Sequence, residues 1–150
     1  MLDLLKTEVG KKYKLIANRW VFFSLFDKNA HLLFSKWMVE VDKSLSQIID
    51  ILYHNFFQKI ESDCKIVVVD IVTNLEELYS YDILNSIDFT KNGIAVQQIE
   101  WEVWWVILPN TEGIADIKQL FSVIKKKNQL NGNIKVFLFQ TERMIIELKK

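Results

Sequence analysis

Lys65-Ile66-Val67-Val68-Val69-Asp70-Ile71-Val72 is the stretch that most restricts how this chain can fold. It is short, β-branched and apolar on both faces apart from Asp70, the pattern of an interior strand with cover on each side. Such a strand needs neighbours in its own sheet and a second layer packed against it. The chain has the material: of 150 residues half are apolar and 13% aromatic. A chain of this length buries roughly 70% of its unfolded surface, so one core can form without disulfides or a metal.

The rest of the chain supplies the partners. Leu2, Leu5, Val9 and Tyr13 recur at spacings of three and four, which predicts a short amphipathic helix. Arg19 to Phe26 and His31 to Val41, joined by Asp27-Lys28-Asn29, read as a hairpin. Ser44 with Gln47 three residues on is a capping box, and Leu45, Ile48, Ile49, Leu52, Phe56 and Ile60 continue it as one helical stripe over about 44–60. Thr73 with Glu76 repeats the capping pattern and predicts a single turn through Leu78, followed by a connection over 80–92. Asn92-Gly93 reads as a turn with Gly at positive φ. Ile94 to Gln98 and Trp101 to Leu108 are strand candidates, the second ended by Pro109. Ile114, Ile117, Phe121 and Ile124 predict a helix ending near Asn131-Gly132, and 134–140 with 143–148 a closing hairpin. The expectation is one α+β domain over 1–150: a mostly antiparallel sheet with hairpins and two main flanking helices.

Charge narrows the possible partners. Nineteen Lys and Arg balance nineteen Asp and Glu, so no broad basic footprint for nucleic acid exists. Lys125-Lys126-Lys127, the one basic run, reads as a solvated helix end. The longest uninterrupted apolar stretch, Val103 to Leu108, is far short of the roughly 18 residues that span a bilayer. The first residues lack the basic leader and apolar run of a secretory signal, and a lone Cys64 fits a reducing cytoplasm. A cytoplasmic protein is therefore expected.

No catalytic, cofactor or metal pattern can be written. Glycines at 10, 93, 113 and 132 match neither phosphate-loop spacing, and Cys64, His31 and His54 are too few and too scattered for zinc. Asp50 and His54, spaced for contact on one helix, read first as a solvated pair, and Cys64 as a small hydrophobe at a strand start. Glu100 and Glu102 would share one strand face, more naturally as edge charges than as an acid and base pair.

Trp101-Glu102-Val103-Trp104-Trp105-Val106 resists dismissal. On a strand, Trp101, Val103 and Trp105 face one way while Glu102, Trp104 and Val106 face the other. Tryptophan on both faces leaves three options open: cover by the chain itself, a protein interface, or a ligand surface.

Lys91-Asn92-Gly93-Ile94-Ala95-Val96, then Val106-Ile107-Leu108-Pro109-Asn110-Thr111-Glu112-Gly113-Ile114, then a helix ending in Lys125-Lys126-Lys127-Asn128 and a segment with Phe139, resemble the C-terminal half of the AMMECR domain, also called AmmeMemoRadiSam system protein A. Members read K-x-G-V-x-V, then G-L-L-L-P-x-x-E-G-V, then a helix ending in a K-A-G-like turn. Phe22 to Leu32 is similar to the strand-turn-strand that precedes the family's R-G-C-I-G signature, and the resemblance covers about 20–147. At the signature this chain has Leu33-Phe34-Ser35-Lys36-Trp37, with Ser35 for the cysteine, and Trp105 stands at the Gly of G-L-L-L-P. The resemblance implies an α+β fold and an accessory role beside Memo-like or radical SAM proteins. The loss of the signature implies a non-enzymatic interaction module, with a homodimer possible, nucleic acid and membrane disfavoured, and Trp105 filling a cleft that relatives keep open. The alternative is an enzyme or small-ligand binder with a site between Ser35-Lys36-Trp37 and Asn110-Thr111-Glu112. On either reading the candidate binding residues are Ser35, Lys36, Trp37, Trp104, Trp105, Asn110 and Glu112.

Overall fold

The computed structural model describes residues 1–39, 42–80, 82–116, 118–119, 122 and 133–148. In chain order the elements are α1 (Leu2–Lys12), β1 (Val21–Phe26), β2 (Leu32–Met38), α2 (Leu45–Asn55), β3 (Ile66–Leu78), β4 (Gly93–Gln98), β5 (Val103–Ile107) and β6 (Ile134–Glu147), with short 3-10 turns at Phe57–Lys59, Asp82–Ser86 and Ile99–Trp101. The fold is α+β. Its six strands form one sheet in the order β2-β1-β3-β6-β4-β5, so β2 and β5 are the edge strands. The chain forms two compact units, Met1–Val72 with Glu142–Lys150, and Thr73–Thr141, and by their ranges β3 and β6 supply residues to both.

In the first unit, β1 pairs antiparallel with both β2 and β3, Phe23 standing opposite Lys36 on one side and Val69 on the other. Alternate residues therefore share a face: Val21, Phe23 and Leu25 join Val67, Val69 and Ile71, and Met144, Ile146 and Leu148 of the chain end complete the layer. Leu5 and Val9 of α1 and Leu45, Ile48, Ile49 and Leu52 of α2 cover it. Each such side chain withdrawn from water contributes about 1.5–3 kcal/mol. The capping box at α2 forms in full, the Ser44 hydroxyl accepting from Gln47 N while the Gln47 side chain accepts from Ser44 N. Lys6 of α1 pairs with Asp50 of α2 at 2.7 Å, so Asp50 serves the helix contact rather than His54.

Asp70 is the exception on the central strand, and it lies on the face away from the helices. Its side chain is 3% exposed, and Arg143 Nε and Nη2 donate to its two carboxylate oxygens at 2.8 and 3.0 Å. These bonds hold the guanidinium pKa above its ordinary value. On the helix side, Glu142 accepts from Lys12 at 2.7 Å and from the Tyr13 hydroxyl. Burial first, then Glu142, pushes the Tyr13 phenol up to about 12.

In the second unit, β4 is central, with Val96 opposite Trp105 of β5 and Val136 of β6. Ile94, Val96 and Val136 form a core with Leu78, Phe89 and Ile114, and Trp105, Ile107 and Leu138 pack against it. On the other face Ala95 is fully buried and Gly93 lies under the Phe139 ring.

Several expectations need correction. The turn expected at Thr73 is absent: β3 runs on to Leu78, and Glu77 on this exposed continuation pairs with Lys135 of β6 at 3.4 Å. The closing hairpin is one continuous strand. Its polar corner is satisfied in place, Gln140 donating to Asn92, Glu142 accepting from α1 and Arg143 holding Asp70, so the chain need not turn there. The helix begun at Ser44 ends at Asn55 and passes into the 3-10 turn at Phe57–Lys59. The strand expected from Trp101 starts at Val103, two residues late, because Ile99–Trp101 forms a 3-10 turn and Glu102 takes a left-handed conformation at φ 51°. Trp101 and Glu102 therefore belong to no strand face. Gly93 does not have positive φ. The helix expected from Ile114, and with it Lys125 to Lys127, falls almost wholly outside the described residues.

Gly93 is needed for closeness rather than for φ. A Cβ there would lie 2.4 Å from Phe139 Cζ and 2.7 Å from the Ile107 carbonyl oxygen, and Phe139 is itself buried. Gly93→Ala should cost about 2 kcal/mol in chemical denaturation, as overpacking does. Unchanged stability would show that the ring does not lie over this strand.

Candidate functional site

The expected site residues fall into two groups on different units. Ser35, Lys36 and Trp37 are consecutive on β2. Ser35 pairs with Ser24 and Trp37 with the buried Phe22, while Lys36 points to the helix side, its ammonium 6.0 Å above the Phe56 ring. Ser35 and Lys36 are exposed and Trp37 half-buried. A charge in the middle of an edge strand hinders further strand pairing, and this is the role the geometry gives Lys36.

Trp104, Trp105, Asn110 and Glu112 belong to the other unit. Gln98 pairs with Val103, and the 3-10 turn with left-handed Glu102 reverses the chain between them. Along β5 the side chains alternate. Trp105 and Ile107 pack against the apolar core of this unit, whereas Trp104 lies against Phe137, the rings tilted by 36° with centroids 5.4 Å apart. Trp104, Trp105, Val106 and Ile107 remain half-buried, and Val103 is 41% exposed. The chain itself thus covers both tryptophans in part, not in full.

Beyond β5 the chain turns tightly. Asn110 adopts φ 57°, tolerable for Asn, and its N–H donates to Phe89 O at 2.8 Å. The Thr111 hydroxyl donates to Leu108 O at 2.7 Å, Gly113 takes φ 79°, and Ile114 returns into the core. Glu112 is carried outward, exposed.

A cleft of about 420 Å³ in the first unit is lined by Asp27, Lys28, Leu33, Ser62, Asp63 and Lys65, none of them an expected site residue. Asp27 already accepts from the N–H groups of Asn29 and His31 at 2.7 and 2.9 Å. The His31 N–H is the main cause holding its carboxyl below the usual range. That carboxylate closes the β1–β2 turn and has little capacity left for a ligand. Cys64 is fully buried, as the small hydrophobe expected. Among the described residues no three His, Cys, Asp or Glu side chains gather to hold a metal ion, and no helix is long and apolar enough to cross a membrane.

No protein-family model matches the chain, and no curated protein matches it.

The placement of the two indoles gives a graded expectation. Trp105→Ala should cost about 2–3 kcal/mol, below the roughly 3–5 kcal/mol of a fully buried Trp, because the ring is half-buried against a packed core. Trp104→Ala should cost about 1 kcal/mol, an aromatic contact with partial burial. Equal losses in urea unfolding, or the reverse order, would contradict the assignment of faces.

Proposed function

We propose that this chain is a protein-interaction module of AMMECR-like descent, without catalytic chemistry of its own, whose working surface is β5. The observation that carries the reading is an apolar edge strand that no other strand, charge or proline protects among the described residues. Val103-Trp104-Trp105-Val106-Ile107 ends the strand order, contains no charged residue or proline, and leaves none of its side chains fully buried, with Val103 41% exposed. Edge strands normally carry a charge, a proline or a bulge against unwanted pairing, as β2 does with Lys36 and the register shift at Leu25/Phe26. Trp is also among the residues most enriched at binding hot spots.

The AMMECR-like descent is supported by the order and spacing of the segments quoted from Lys91 to Ile114. On that descent the setting is cytoplasmic and the partner a Memo-like or radical SAM protein. Ser35 in place of the family's cysteine supports a role in binding.

Pull-down from the native host, followed by sedimentation of the retained complex, tests the reading. Val103→Lys should leave the fold intact and weaken the complex by about 2 kcal/mol or more, the scale of a hot spot. A strictly monomeric protein with no retained partner, or a complex indifferent to Val103→Lys, would refute it.

A further inference from the structure

Among the described residues strand β5 not only lacks an outer neighbour but is bracketed by one sign of charge. From Ile99 to Asp116 the charged residues are Glu100, Glu102, Glu112 and Asp116, with no Lys or Arg among them. Glu100 and Glu102 lie on the turn that leads into β5, and Glu112 on the turn that leaves it. All three are exposed, and none has an ion-pair partner among the described residues. Asp116 is already occupied, accepting from the N–H groups of Lys118 and Gln119 at 2.8 and 2.9 Å. The result is a five-residue apolar strand with exposed carboxylates beyond each end, unpaired among the described residues.

We infer that β5 takes up an extended segment of a partner protein as an additional strand, and that this segment has apolar residues at its centre and Lys or Arg at both ends. The inference rests on the reading of the chain as an interaction module and names the occupant of that surface. Main-chain hydrogen bonds from the open edge supply affinity without regard to sequence, and side-chain chemistry chooses the partner. Apolar central residues continue the two half-buried faces of β5, and basic ends meet Glu100 and Glu102 on one side and Glu112 on the other. Like charges directly opposed across a strand pair are unfavourable, so the same brackets disfavour acidic segments.

A second copy of this chain is the weaker occupant. Two β5 strands paired antiparallel about a two-fold axis bring the Glu100 and Glu102 end of one copy toward the Glu112 end of the other, acid against acid. The shared strand is also only about 17 Å long, a small contact beside the roughly 1,200 Å² that stable interfaces bury.

The test uses the full chain and two end-blocked synthetic peptides with the same Val-Thr-Val-Thr-Val centre, one flanked by pairs of Lys and one by pairs of Glu. Calorimetry should give about tenfold tighter binding of the Lys-flanked peptide, the summed effect of a few exposed charge contacts. Hydrogen exchange should show new protection at the amides of Val103 to Ile107. In the variant Glu100→Gln, Glu102→Gln and Glu112→Gln, whose exposed sites leave folding unaffected, the preference should vanish while strand binding persists. Equal binding of both peptides, binding of neither, or protection elsewhere would overturn the inference. So would β5 protection that appears with protein concentration in the absence of peptide, which would assign the edge to a second copy. If native complexes are lost on Val103→Lys but the Lys-flanked peptide does not bind, the occupant is wrong and the interaction reading stands. If the complexes are indifferent as well, both fall.

Discussion

A single carboxylate buried in the middle of the central strand sets the terms for the first unit. Asp70 cannot be withdrawn from water without a partner, since an uncompensated buried charge costs several kcal/mol. Its partner lies seventy-three positions away, on the last strand of the chain. Arg143 engages both carboxylate oxygens with two parallel N–H groups, a geometry that tolerates little displacement. A slip of β6 by one residue would send Arg143 to the other face and lift Met144, Ile146 and Leu148 out of the core. The pair therefore does what hydrophobic burial does poorly: it selects one register among many that would bury similar area.

Around that register, each edge strand follows its own logic. β2 bears Lys36 at its centre, with the ammonium over Phe56, and its pairing with β1 shifts at the Leu25/Phe26 position. Both features discourage another strand. β5 carries neither, and its residues divide their contacts between a packed core on one face and the Phe137 ring on the other. An edge with apolar side chains on two faces and open main chain at its rim is an aggregation hazard unless function requires it. On the proposed reading, its acidic flanks confine that edge to a segment with basic ends.

Elements governed by local chemistry were legible in the sequence. Ser44 and Gln47 announce the start of α2 because the capping box is closed within four residues, and Lys65 to Val72 announces a central strand because it is β-branched on both faces. What long-range pairing decides was not legible. Thr73 and Glu76 fit a helix start as well as an exposed strand, and only β6 beside them settles the matter. Gln140 to Arg143 read as a turn because their partners, Asn92, Lys12, Tyr13 and Asp70, are distant in sequence. In the sequence Gly93 reads as conformational freedom, whereas its use is room for Phe139. At the candidate site the tryptophans on both strand faces are legible, but Glu100 and Glu102 read as edge charges and Glu112 as a separate binding candidate, since their bracketing of β5 depends on where the strand begins and ends.

The central claim, that Asp70 and Arg143 act as one unit fixing β6 against β3, is tested most directly by a double-mutant cycle in chemical denaturation. Arg143→Met alone should cost about 3 kcal/mol, because it leaves a buried carboxylate without its partner. Combined with Asp70→Asn, the loss should fall short of the sum of the single changes by about 2 kcal/mol, the coupling of residues in direct contact. Additive effects, equal to within about 0.5 kcal/mol, would mean that the two side chains stabilise the fold independently and would contradict the account.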